Sequence, residues 1–268
     1  SQTLNPGIDL KTVPYLLPIG TYVYRGPPGA RGDYWLLDTN VRVLGREEGA
    51  QSQRFVVKGG WRYPYTSELG ERYSFNVALR ADAYRVGNPD PQVVGKTVYD
   101  FEGRILPEIH LDWRLPFARA SSVGVIIVEP MAQLVWRPNY KTNSNIPNED
   151  SLAFEFDDLN LFSVDRFAGL DRYEGGARIN YALRGQVSSE FFPDAEVMVG
   201  QVFRAQVDDT YSDGTGLNQT FSDYVGRWKI FPSRYVTLIH RFRLDQKSIG
   251  ALTKENKQIG RTSCRERV

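Results

Sequence analysis

Apolar and polar residues alternate one by one along several long stretches of this chain, and this period of two is its most constraining feature. Between Glu71 and Val86 the odd positions carry Tyr, Phe, Val, Leu, Ala and Ala, whereas the even positions carry mostly charged or polar residues. A β-strand turns successive side chains to opposite faces. The segment therefore predicts a strand with one apolar face and one charged face.

The same alternation recurs along most of the chain and predicts about ten strands. Many of them exceed the ~5–6 residues usual in globular sheets and reach the ~9–11 that cross a bilayer at a tilt. This length favours strands that span a membrane. The predicted strands cover residues 21–25, 35–43, 53–63, 71–86, 105–117, 123–137, 177–183, 195–206, 224–231 and 235–245.

The predicted connections are alternately short and long. Tight turns are expected at 26–29, 47–50, 118–121 and 231–234 because of their Gly, Pro and small polar residues. Long loops are expected at 87–103, 138–175 and 207–222. This asymmetry is typical of an all-β, antiparallel up-and-down transmembrane β-barrel, with short periplasmic turns and longer outer loops. Aromatic residues near strand ends would suit its interfacial girdles: Tyr22, Tyr24, Trp35, Trp61, Tyr63, Tyr65, Trp136, Tyr140 and Trp228.

Polar side chains recur on one face of several predicted strands. A wide, water-filled lumen accommodates such residues, whereas the packed interior of a small barrel does not. A soluble sandwich would turn the same face to solvent, so the alternation alone leaves both folds open. The residues expected to face a lumen are Arg80, Asp82, Glu108, Asp112, Arg114, Arg178, Asn180 and Arg184.

Acidic and basic residues are nearly equal in number, but arginine greatly outnumbers lysine. The net charge is +1, which gives no reason to expect a nucleic-acid partner. Of the 33 basic residues, eight are Lys and 25 are Arg, the side chain favoured for bidentate pairing with carboxylates and phosphates. The most apolar run, 123–128, is far shorter than the ~18 residues of a membrane-spanning helix.

No residue pattern supports catalysis, a metal site or a cofactor. The two histidines, His110 and His240, lie on separate predicted strands without a carboxylate at ligand spacing. Asp157 and Asp158 are a candidate glycosidase pair, but adjacent residues in a strand point to opposite faces and would not flank one bond. The chain is therefore not expected to be an enzyme.

The last ten residues, 259–268, lack the alternation of the rest of the chain. They closely match what one reading frame of a common sequencing adapter would encode, so we expect a non-native tail there. Cys264, the only cysteine, lies in this tail. Without it the chain has no disulfide and no thiol nucleophile.

The most informative segment is 148–185, where acidic residues and Arg alternate with Phe and Leu. It is too long for a simple hairpin connection, and its dense opposite charges and aromatic residues should make it fold on itself. Its motif runs Leu-Phe-x-x-x-Arg-Phe-x-Gly-x-Asp-Arg-x-Glu-Gly-Gly from Leu161, and continues Arg-x-Asn-Tyr-x-Leu-Arg to Arg184. We take the following residues as the motif loop: Asp157, Asp158, Leu161, Phe162, Arg166, Phe167, Gly169, Asp171, Arg172, Glu174, Gly175 and Gly176.

This motif resembles the LptD family, the lipopolysaccharide-assembly proteins of the outer membrane also called organic solvent tolerance proteins, in the form found in alphaproteobacteria. Shorter matches occur in the same order at 106–109, 112–114, 128–134, 199–204 and 222–227. The resemblance covers the chain from about 34 to 256. It implies a very large barrel in the outer membrane of a Gram-negative bacterium. That barrel is plugged by the lipoprotein LptE, receives lipopolysaccharide from a periplasmic bridge of Lpt proteins and releases it to the outer leaflet.

The family barrel has more strands than are predicted here. We therefore expect residues 1–258 to be an internal fragment of the barrel domain, without the periplasmic domain that contacts the Lpt bridge. Lumen-facing Arg80, Arg114, Arg178 and Arg184 would either contact lipopolysaccharide phosphates in passing or form salt bridges that stiffen the barrel or seat the plug. Two alternatives stay open: another outer-membrane barrel, such as a porin or a plugged receptor, and a secreted all-β carbohydrate-binding or hydrolytic protein.

Overall fold

The computed structural model describes residues 10–89, 97–139, 145–151, 155–206, 211 and 214–246. The tail at 259–268, with Cys264, and the predicted girdle residue Tyr140 lie outside the described residues. In the part that is described, a short 3-10 helix at Leu10–Thr12 precedes eleven β-strands. No helix in these ranges is long and apolar enough to cross a membrane.

The strands form one antiparallel sheet in chain order, which confirms the predicted all-β class. Most neighbours along the chain are neighbours in the sheet, and β5 and β6 both pair with β7. Within the described ranges β1 and β11 each have a single neighbour, so the sheet is open, as expected for an incomplete barrel. The strands are β1 (Tyr15–Arg25), β2 (Tyr34–Gly45), β3 (Gln51–Thr66), β4 (Arg72–Pro89), β5 (Thr97–Arg114), β6 (Phe117–Ser121), β7 (Gly124–Arg137), β8 (Gly176–Ser188), β9 (Asp194–Arg204), β10 (Tyr224–Ser233) and β11 (Val236–Leu244).

The turn predicted at 118–121 is wrong, because these residues belong to β6. β5 and β6 act as one strand that is interrupted at Leu115 and Pro116. Pro116 has no N–H to donate to the ladder, while the Leu115 N–H still donates to the Pro130 carbonyl at 3.2 Å. Pairing with β7 resumes at Phe117, and the reversal of the chain comes after Ser121.

The loop predicted at 87–103 is also largely wrong. β4 continues to Pro89 and β5 begins at Thr97, so the connection is only 90–96. Gly87 pairs with Tyr99, and Gly103 pairs with Ala83. Both glycines therefore lie within paired strands, where the hydrogen bonds between the strands outweigh the tendency of glycine to interrupt a strand. The long connections after β7 and β9 are present as predicted.

The two faces of the sheet have the reverse of the polarity found in a soluble protein. Large apolar side chains such as Leu79, Ile105 and Leu183 are exposed on the outer face, while Arg80, Asp82 and Glu108 are buried on the inner face. Since soluble proteins rarely expose large contiguous apolar patches, this outer face is suited to hydrocarbon. No second sheet covers it in the described part of the chain, which contradicts the sandwich alternative.

Aromatic residues cluster on the outer face near the short turns. The rings of Trp61 and Tyr63 stack with their centroids 5.8 Å apart, and Phe75 meets Trp61 edge to face at 6.2 Å. The ring centroids of Tyr65 and Tyr73, which are paired across β3 and β4, lie 6.2 Å apart. These rings occupy one end of β3 and β4, where an interfacial girdle is expected.

Candidate functional site

The connection between β7 and β8 lies against the inner face of the sheet. We call its described residues, 145–151 and 155–175, the inner loop. It is held by an apolar anchor and by an array of ion pairs. In the anchor, Phe156, Leu161 and Phe167 are buried together with Val202 and Val225 of the sheet. The segment also folds on itself, as predicted, through contacts such as Arg166 with Glu174 and the Asp171 N–H with Asp150.

One arginine from each of nine strands contacts the inner loop. Together these side chains form a row across the sheet, which we call the arginine row. Arginine suits this position because its planar guanidinium donates several hydrogen bonds at fixed angles. The row consists of Arg42, Arg54, Arg80, Arg104, Arg137, Arg178, Arg204, Arg227 and Arg241.

The row begins with two arginines bound to two carboxylates. Arg42 donates to Asp171 at 2.9 Å and to Asp150 at 3.1 Å. Arg54 donates to Asp171 at 2.7 Å and also to Asp150. Burial alone would raise the pKa of Asp150, but the hydrogen bond and charge of Arg54 outweigh it and hold that pKa well below its usual range. The four side chains tie β2 and β3 to both ends of the inner loop.

The next two strands hold the backbone of the loop. Arg80 and Arg104 each donate to the Leu170 carbonyl at 2.5 Å, and Arg104 also donates to the Asp171 carbonyl at 2.9 Å. Asp82 lies between the two guanidiniums and accepts from both of them. The carboxylate from the sheet therefore balances arginines whose loop partners are neutral carbonyls.

Glu174 is the centre of the third group and is completely buried. It accepts from Arg166 at 2.5 Å and from Arg204, and the Arg178 guanidinium is 3.6 Å away. Burial would raise the pKa of the Glu174 carboxyl, but the charges of Arg166, Arg178 and Arg204 outweigh this and lower its pKa from 4.5 to about 2. Arg137 joins the group by donating to the Glu174 carbonyl at 2.9 Å.

The last two strands of the row converge on Asp158. Its carboxylate lies 2.7 Å from Arg227 and 3.0 Å from Arg241. Asp157 instead accepts the N–H groups of Leu159 and Asn160 at 2.9 and 3.2 Å, which closes a turn. The two carboxylates thus have separate partners, and they lie outside the strands, so the expectation that they occupy opposite faces of a strand is wrong.

Two glycines of the motif are required where the backbone approaches its neighbours closely. A Cβ at Gly169 would overlap the carboxylate of Asp150 and would lie 2.6 Å from the Asp150 carbonyl oxygen. A Cβ at Gly175 would lie 2.7 Å from the Pro138 carbonyl oxygen. Gly176 has a φ of 91°, which is unfavourable for other residues.

The remaining motif side chains include Phe162, which packs on the apolar anchor, and Arg172, whose guanidinium lies 5.7 Å from the Phe167 ring.

The residues expected to face a lumen differ in their accessibility. Most of them are buried on the inner face, whereas Asp112 is half-buried. Arg114 is exposed, and Arg184 is partly exposed and lies 2.6 Å from Glu129. The inner loop thus covers two of the four arginines expected to meet phosphates. The buried residues are Arg80, Asp82, Glu108, Arg178 and Asn180.

The sequence interpretation overlooked most of the arginine row, together with Asp150. A usable signal was present. Each predicted strand has an arginine at a position of the polar face, and arginine greatly outnumbers lysine. The overlooked arginines are Arg42, Arg54, Arg104, Arg137, Arg204, Arg227 and Arg241.

The acidic and histidine side chains of the inner face do not gather around a metal position. His110 lies 3.7 Å from Glu108 and 3.9 Å from Asp112. In the ranges that the structure describes, no group of three or more His, Cys, Asp or Glu residues is arranged to hold a metal ion.

A family model described as "LptD: LPS transport system D" matches residues 2–250, which is most of the chain. No curated protein matches the chain. The family match includes the whole inner loop and every member of the arginine row.

Proposed function

The chain belongs to the LptD family of lipopolysaccharide transport proteins, and from this premise we propose that it forms part of the translocon that inserts lipopolysaccharide into the outer leaflet. In this proposal its barrel is plugged by the lipoprotein LptE and supplied by the periplasmic Lpt bridge. We further propose that the chain is an internal portion of a larger barrel of the alphaproteobacterial form, located in the cell outer membrane.

One observation carries this proposal: the sheet has an exposed apolar outer face and a buried, charged inner face. Leu79 and Arg80 are neighbours in β4, yet Leu79 is 54% exposed and Arg80 only 6%. A strand in a transmembrane barrel alternates in this way, with apolar residues toward lipid and polar residues toward the lumen. The family match then selects lipopolysaccharide transport over a porin or a plugged receptor with the same alternation.

The chemistry of the inner face suits an amphipathic, phosphorylated glycolipid. Its headgroup requires a wet and polar path, while its acyl chains remain in hydrocarbon. Arg114 and Arg184 are the accessible arginines of the predicted set, and Glu129 beside Arg184 would keep anion binding weak enough for release. In this proposal the inner loop and the arginine row have a different role, which is to stiffen the barrel around this path through their ion pairs.

The test is depletion of the protein in the bacterium that encodes it. Lipopolysaccharide newly delivered to the cell surface is measured by its modification with an enzyme of the outer leaflet. We expect delivery to stop while lipopolysaccharide accumulates in the inner membrane, and we expect the wild-type gene to restore it. A porin or receptor would instead leave delivery unchanged and alter the uptake of small solutes, and that outcome would refute the proposal.

The LptE partnership is tested separately by purification of the tagged protein from the same cells. A lipoprotein of the LptE type should copurify at a fixed ratio with the wild-type protein. Recovery of the folded barrel without such a lipoprotein would contradict this part of the proposal.

A further inference from the structure

Two arginines face each other across β4 and β5 at the short-turn end of the inner face. Arg72 is the first residue of β4, Arg114 is the last residue of β5, and the two are directly paired in register. Side chains paired in this way have Cβ atoms roughly 4.5–5.5 Å apart, and like charges there repel each other. Both residues are exposed.

This pair differs from the arginine row in having no carboxylate partner within the described part of the chain. Two nearby acidic side chains are engaged elsewhere. Asp112 accepts from Gln133 at 2.7 Å, and Glu71 accepts from Trp113 at 3.3 Å. In the described part of the chain neither carboxylate forms an ion pair with Arg72 or Arg114, so both guanidiniums remain available to an anion, unlike those of the arginine row.

A third arginine extends the same polar surface on β3. Arg62 donates through Nε to the Ser74 hydroxyl at 2.8 Å, and Asn76 donates to the same hydroxyl at 3.2 Å. This hydrogen bond fixes the direction of the Arg62 side chain without neutralising its charge. Arg62 pairs with Asn76, four residues along β3 from the partner of Arg72, so it extends the basic surface of the inner face beyond the two arginines.

We propose that Arg72 and Arg114, supported by Arg62, form a receiving site for a phosphate group on the headgroup of the transported glycolipid. A phosphate between the two guanidiniums removes their repulsion and accepts charge-assisted hydrogen bonds from both. Because both side chains are exposed, binding is weakened by water and remains reversible. The proposal rests on the proposed function. It goes further by naming the place where the headgroup first binds. The site lies at the short-turn end of the sheet, and short turns face the periplasm in outer-membrane barrels.

The experiment uses the full-length protein with its lipoprotein partner in membranes. A photoreactive p-benzoylphenylalanine replaces Thr66, the register partner of Arg72, and in a second protein it replaces Gln186, an exposed residue of the inner face on β8. The probes are lipopolysaccharide with its phosphates, the same material after phosphatase treatment, and excess inorganic phosphate as competitor. The arginine variant is R72Q/R114Q, and the matched control is R31Q, an exposed arginine in the turn between β1 and β2.

At Thr66 we expect R72Q/R114Q to reduce capture of phosphorylated lipopolysaccharide by at least about tenfold, because the variant loses two charge-assisted hydrogen bonds and each contributes about a factor of ten. R31Q should have no effect, and phosphatase treatment should reduce wild-type capture to the same low level. If excess inorganic phosphate prevents capture, the site binds phosphate itself. If it does not, the glycolipid makes further contacts with the site. Either result supports the proposal only if capture depends on Arg72 and Arg114.

Undiminished capture in R72Q/R114Q would overturn the receiving site, as would equal capture of the phosphatase-treated material. Capture of an acidic protein at Thr66 in place of lipopolysaccharide would overturn it as well. The position at Gln186 separates these failures from that of the proposed function. If lipopolysaccharide is captured at Gln186, and its capture at Thr66 does not depend on Arg72 and Arg114, only the receiving site is refuted. If lipopolysaccharide is captured at neither position, transport along this face is refuted.

Discussion

Glu174 and Arg166 form a fully buried ion pair at the centre of the inner face. Arg166 Nη1 lies 2.5 Å from Glu174 Oε1, and the Arg166 backbone N–H donates to the other carboxylate oxygen at 3.1 Å. Both partners belong to the inner loop, yet Glu174 also binds Arg204 of β9. A single carboxylate therefore closes the loop on itself and attaches it to the sheet.

Removal of the Glu174 charge should destabilise the folded protein strongly. In E174Q the guanidiniums of Arg166, Arg178 and Arg204 remain buried without their shared counter-ion, and breaking a buried pair in this way costs about 3–5 kcal/mol. We expect the midpoint of urea unfolding in lipid vesicles to fall accordingly. E190Q, in the exposed turn between β8 and β9, should change it by no more than about 0.5 kcal/mol. Equal stability of E174Q and E190Q would mean that the loop is not held by this carboxylate.

Stability should also fall in acid because of the same carboxylate. The pKa of Glu174 is about 2 in the folded protein against 4.5 in the unfolded chain, so its contribution is complete above about pH 4.5 and is lost as the pH falls toward 2. The lowered pKa of Asp150 acts in the same direction, whereas burial raises the pKa of Asp165 and opposes it. Unfolding midpoints measured from pH 6 to about pH 2 should decline in the wild type and decline less in E174Q. Parallel curves would contradict this account.

The faces of the strands were predictable from the sequence because they depend on local information alone. A period of two assigns Leu79 to one face and Arg80 to the other without any knowledge of the fold. Strand ends were less predictable. Gly87 and Gly103 resemble loop residues in sequence, yet pairing between β4 and β5 includes both of them. The residues at 118–121 were misassigned because their small side chains are common in turns, whereas pairing with β7 continues through them to Ser121.

The partners within the arginine row were not predictable from the sequence. Arg42 and Asp171 are 129 residues apart, and their meeting depends on the order of the strands and on the path of the inner loop. Local patterns indicate that an arginine faces inward but not which carboxylate it meets. Gly169 illustrates the same limit, since its need for a small side chain arises from Asp150 and not from a turn.

Addition of one methyl group at Gly169 should loosen the inner loop. In Gly169→Ala the new Cβ overlaps the Asp150 carboxylate, so either the loop or the pairs of Arg42 and Arg54 must shift. Overpacking of this kind typically costs about 1–3 kcal/mol. The matched variant Gly59→Ala, where no atom lies within 4 Å of the new Cβ, should be neutral or slightly stabilising. Hydrogen exchange at Leu170 and Asp171, whose N–H groups bind Asp150, should increase only in Gly169→Ala.

A charge on the outer face should prevent stable insertion of the sheet into a bilayer. Leu79 is 54% exposed in the middle of β4, and the outer-face rows on either side of it are apolar. In a barrel, arginine at a lipid-facing position near the bilayer midplane costs about 2–4 kcal/mol, so Leu79→Arg should lower the folded fraction in lipid vesicles. Leu69→Arg is the matched control, because Leu69 is 83% exposed but lies in the turn between β3 and β4. We expect its folding yield to equal that of the wild type. If Leu79→Arg folds as well as Leu69→Arg, the apolar rows do not face hydrocarbon, and the membrane orientation of the sheet is wrong.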